Sequence, residues 1–146
     1  MTNVSIAPPA VSLRAVAAGG ATWNAFGIVQ FALQYAATPA SMMAQGMTAV
    51  QIEVYAALPG WMTAAFAVAV FVGTAGCVML ALGRSASLPL LALSLAAFVL
   101  LCIGDIAFGV FAAFGAPTIA VVGFSTALMF IVTLWACRAR AMGRLA

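Results

Sequence analysis

Four apolar runs, over about 14–37, 60–82, 88–113 and 118–136, limit most severely what this chain can fold into. Apart from Arg14 at the edge of the first and Asp105 within the third, none contains a charged residue. Each offers the roughly 20 residues that carry a helix, rising about 1.5 Å per residue, across about 30 Å of hydrocarbon. Lipid cannot bond free backbone amides and carbonyls, so such runs satisfy them internally as helices. Hydrophobic residues make up 67% of the 146 and charged residues 5%. Soluble domains run near half apolar and a quarter charged, so this chain has too little charge to cover a water-facing surface. The pattern predicts an all-α fold, a transmembrane four-helix bundle over 13–137, between an N-terminal tail (1–12) and a basic tail (138–146).

The arginines orient such a bundle. Arg14 precedes the first run, Arg84 lies between the second and third, and Arg138, Arg140 and Arg144 follow the fourth. With four crossings all three segments share one side, and the positive-inside rule makes it the cytoplasm, with both termini inside. The net charge of +3 does not point to nucleic acid, because the basic residues stand at the edges of apolar runs rather than in one patch. The chain has no His, and Cys77, Cys102 and Cys137 are far apart. No metal-ligand spacing, disulfide framework, nucleophile–base set or phosphate-binding glycine loop is present, so no enzyme activity, metal or cofactor is expected.

The connection over about 38–58 is the one long loop. Thr48 and Gln51 have capping-box spacing, and Met47, Val50, Val54 and Leu58 recur at helical intervals. A short amphipathic helix on the outer leaflet follows, ended by Pro59. Tyr35, Tyr55 and Trp61 suit an outer aromatic belt, and Trp135 an inner one.

Two sets of residues stand out inside the apolar runs. Ala65, Ala69, Gly73, Cys77 and Ala81, four apart, form a small-residue stripe that lets a neighbouring backbone come close. Asp105 lies about 17 residues into the third run, roughly 25 Å from its basic end at 1.5 Å per residue. A carboxyl there needs a partner or a function. Gln30 and Gln34 share a face of the first run with Trp23 and Gly27, Asn24 lies to its side, and both glutamines reach a similar depth to Asp105. Asn24, Gln30, Gln34 and Asp105 are therefore the candidate polar cluster.

Three stretches, Trp23-Asn24-Ala25-Phe26-Gly27, the segment from Thr48 through Gln51 and Tyr55 to Pro59-Gly60-Trp61, and Leu93-Ser94-Leu95, resemble a group of small four-span bacterial membrane proteins. These are uncharacterised or labelled "sugar transporter", and the likeness covers most of the chain. Where that group carries an Asp-Tyr pair after the first motif, this chain has Val29-Gln30. The resemblance implies a bacterial inner membrane, and small-solute transport as one function. The residues themselves point at least as well to an accessory protein contacting lipids and either a larger membrane complex or further copies of itself.

Overall fold

The computed structural model describes residues 12–146, so the tail expected over 1–12 lies, Ser12 excepted, outside the described residues. Among these there are seven helices and no strand: α1 (Leu13–Tyr35), α2 (Pro39–Ala44), α3 (Ala49–Ala56), α4 (Gly60–Ala81), α5 (Ser87–Ala107), α6 (Val110–Phe114) and α7 (Ala116–Ala141).

This corrects the expected four-span bundle. Three of the described helices, α4, α5 and α7, are long and apolar enough to cross a membrane. Although α1 has 23 residues, it is not one of them. Arg14, Asn24, Gln30 and Gln34 fall inside it and dilute its hydropathy, an effect that counting uncharged residues overlooks. The inference that both termini share one side rested on an even number of crossings and loses that support. The third run is also not one helix. Gly109 takes φ 72°, a left-handed conformation that ends α5 and sets off the short α6.

Glycines bring the long helices together. A Cβ on Gly20 would stand 2.8 Å from Cys77 Sγ and 3.2 Å from Val132, and one on Gly27 would stand 2.7 Å from Val70. Residue numbers thus rise along α1 as they fall along α4, an antiparallel pair with backbones in close approach. On the opposite flank of α4, a Cβ on Gly76 would meet Leu91 side-chain atoms at 2.9 Å and its backbone nitrogen at 3.1 Å. One on Gly104 would meet Trp61 and Met62 at 2.8 Å. The close order is completed by α7, which packs against α1 and α5; α1 and α5 themselves are not neighbours. Ala17, Val70, Leu80, Leu91, Met129 and Val132 fill the core. Phe71, Val78, Leu93, Val99, Ile103, Phe124, Phe130 and Leu134 stay exposed, an apolar outer surface suited to lipid.

Where one amphipathic loop helix was expected, there are two short helices, each opened by a threonine capping box. Thr38 pairs with Ser41, and Thr48 with Gln51. Gln51 has a second role: its Nε2 donates to the Ala113 carbonyl at 3.1 Å, fastening α3 to the chain around α6. Tyr55 donates to Gln34 Oε1 at 3.5 Å, and burial raises its phenol above the ordinary value. Gln51→Ala removes the side-chain half of the box and the tether, and leaves the bond from its backbone N to Thr48 Oγ1. We expect a loss of about 1–2 kcal/mol, seen as faster amide exchange over 39–58 while α4, α5 and α7 keep their protection.

Candidate functional site

The long helices meet at a polar junction where Asn24 of α1, Gly73 of α4 and Ser94 of α5 come together. Asn24 and Ser94 are both 0% exposed. Asn24 Nδ2 donates to the Gly20 carbonyl at 2.8 Å and to Met129 Sδ of α7 at 3.1 Å. Among the described residues its Oδ1 has no hydrogen-bond donor. That oxygen and Ser94 Oγ each lie 2.6 Å from where a Cβ on Gly73 would stand. One Gly73 Cα–H therefore points toward both oxygens, a weak contact typical of close helix pairs. The residue must be glycine because polar atoms occupy the place of its side chain.

Local backbone geometry explains what Ser94 does there. Over Val68–Val72, α4 widens into a single π-turn. The Ala69 carbonyl within it accepts from Gly73 N and has a second lone pair for an outside donor. Ser94 Oγ donates to the Ala69 carbonyl at 2.6 Å, across the helix pair, and Thr74 Oγ1 donates to the Val70 carbonyl at 2.8 Å. A second polar tie lies closer to the α7 start: Trp23 Nε1 donates to Ser125 Oγ at 3.0 Å, and Ser125 passes its own hydrogen to Val121 O at 2.7 Å. Cys102 and Thr126 make a third, 3.3 Å apart, between α5 and α7.

The candidate residues from the sequence fall in three places. Asn24 is in the junction. Gln34 is exposed and accepts from Tyr55, and Gln30 is half-buried. Asp105 is 9% exposed near the end of α5, beside Gly104, which lies under Trp61 and Met62. Because α1 and α5 lie diagonally across the assembly, no hydrogen bond among the described residues joins Gln30 or Gln34 to Asp105. Ala65, Ala69, Gly73 and Cys77 are all buried within the chain. Ser94 entered the sequence argument only within a resemblance, yet it is the sole side-chain hydroxyl between Ser87 and the end of α5. A lone hydroxyl amid Leu and Ala was the available signal.

The opposite feature of the molecule is its arginine end. The start of α1, the α4–α5 turn and residues 144–146 are adjacent: Ser85 N donates to Ala146 O at 2.7 Å and Ala146 N donates to Gly83 O at 2.8 Å. Arg14, Arg84, Arg138, Arg140 and Arg144 are all exposed at this end. Both acidic residues are far from it, Glu53 in α3 and Asp105 near the other end of α5.

Three apolar crossing-length helices, an apolar outer surface and an interior joined by helix-to-helix hydrogen bonds define the class: this is a membrane protein. No family model matches the chain, and neither does any curated protein or solved structure.

Proposed function

We propose that this chain is a non-catalytic interaction protein of the bacterial inner membrane, an accessory subunit that holds a larger membrane complex through its outer surface. The observation that carries this reading is the closed interior. At Gly20, Gly27, Gly73, Gly76 and Gly104 the neighbouring atoms leave no room for a methyl group. Polar atoms between the helices are largely occupied by one another. What the protein offers to others is its apolar flank and its arginine end, which by the positive-inside rule faces the cytoplasm. Purification from native membranes in mild detergent, followed by native mass spectrometry, tests this. A different membrane protein in fixed stoichiometry is expected; recovery only as free or self-associated copies contradicts it.

A second reading, small-solute transport as the sugar-transporter resemblance implies, is favoured by the donorless Asn24 Oδ1 and by buried Asp105. It requires a solute route past Asn24, with Gln30, Gln34 or Asp105 contributing. Under it, Asp105→Asn abolishes solute-dependent flux while the protein still assembles. Undiminished flux in that variant removes Asp105 from the reading.

A further inference from the structure

We infer that the arginine end contains a binding site for the phosphate headgroup of an anionic phospholipid, held between Arg14 and Arg144. The two residues stand far apart in sequence, and three separate capping devices bring them to one cleft of about 490 Å³. Ser12 caps α1, its hydroxyl accepting from Ala15 N at 3.1 Å, and so sets Arg14 in the first turn. Gly83, at φ 69°, reverses the chain after α4, and Arg84 N returns to Met79 O at 2.9 Å. Gly143, at φ 66°, does the same after α7, with Arg144 N returning to Ala139 O at 2.9 Å. The pairing of Ala146 with Gly83 and Ser85 then holds Arg144 beside the turn.

The lining has the chemistry of a lipid site rather than of a general anion site. Leu13 and Leu82 line the cleft together with the two arginines, and Leu82 is 65% exposed, an apolar surface at its edge. A headgroup phosphate can pair with the arginines while its acyl chains follow that surface outward. The first turn of α1 lines the same cleft, so the positive end of its dipole adds to the attraction. Glu53 and Asp105 are both remote, so the anion nearest the arginines within the chain is the Ala146 carboxylate, already bonded to Ser85 N.

The test is thermal stability of the detergent-purified protein with phosphatidylglycerol, phosphatidylcholine or inorganic phosphate added. Phosphatidylglycerol is expected to raise the midpoint by several degrees and the other two to leave it unchanged. The double variant Arg14→Gln/Arg144→Gln is expected to lose that rise, while Arg138→Gln/Arg140→Gln, altered on α7 outside the cleft, keeps it. Equal stabilisation by phosphatidylcholine, an equal effect of inorganic phosphate, or a full rise in the Arg14/Arg144 variant overturns the site. Should the double variant not assemble, a salt titration of the unaltered protein decides. A rise that fades with added salt supports the arginine–phosphate pairing, and one indifferent to salt overturns it.

Discussion

Asn24→Asp is expected to be the most damaging single substitution in the chain, costing at least about 3 kcal/mol or preventing assembly. The side chain keeps its size, so shape is not the reason. Asn24 is 0% exposed, and its amide donates to Gly20 O and Met129 Sδ. A carboxylate has no hydrogen to donate, and it turns an attractive contact with the Gly20 carbonyl into a repulsive one. An uncompensated charge buried between packed helices costs about 3–5 kcal/mol, and the lost bonds add to that. No cation can compensate, since Arg14 stands roughly 15 Å away along the axis at about 1.5 Å per residue. Asn24→Leu is the instructive control. The Gly20 carbonyl keeps its place in the helix ladder and the donorless oxygen disappears, so the loss should be about 1 kcal/mol or less. Reversible unfolding in mixed micelles measures both. Equal losses in the two variants contradict the assigned role of the amide.

Gly73→Ala is the second large effect. Ordinarily alanine favours a helix over glycine by about 1 kcal/mol. Here the added methyl stands 2.6 Å from both Asn24 Oδ1 and Ser94 Oγ, and 3.0 Å from Asn24 Cγ. Neither side chain can withdraw freely, because Asn24 is held by two bonds and Ser94 by the Ala69 carbonyl. Forcing an extra methyl into a filled interior costs about 1–3 kcal/mol, and release of Ser94 adds about 1. A net loss of about 2 kcal/mol is expected after the helix gain. Gly123→Ala on α7, where nothing lies within 4 Å, should leave stability unchanged or slightly raised. The same unfolding measurement compares the two, and equal behaviour would mean that the junction is not closed as described.

The contrast between those glycines shows how much was legible beforehand. Apolar runs named the long helices, and the Thr48–Gln51 spacing named a capping box whose bonds are present at 2.9 and 3.3 Å. Asn24 stood out as a polar residue in an apolar run. Faces can be read from periodicity, but neighbours cannot. By residue count along their runs Gln30, Gln34 and Asp105 match in depth, yet they sit on helices separated by α4 and α7. The hydropathy shortfall of α1 comes from a few amides and one arginine spread along a run that looked apolar by its lack of charge. The π-turn over Val68–Val72 has no marker in its Val-Ala-Val-Phe-Val sequence, and nothing in that sequence announces that Ser94 bonds the Ala69 carbonyl. The arginines were read for their side of the membrane. Their convergence on a cleft depends on the left-handed glycines at 83 and 143, whose role only the folded backbone reveals.

The closed interior is tested most directly by thiol accessibility in native membranes. Asn24→Cys and Ser94→Cys would be introduced separately after the native Cys77, Cys102 and Cys137 are replaced by alanine, with Ser85→Cys as the exposed reference. A charged, water-soluble methanethiosulfonate would be applied from each face. The account predicts full modification at position 85 and none at 24 or 94 until the protein is denatured. Modification at 24 and 94 from either face, at a rate near that of position 85, would show a water path through the junction and contradict it.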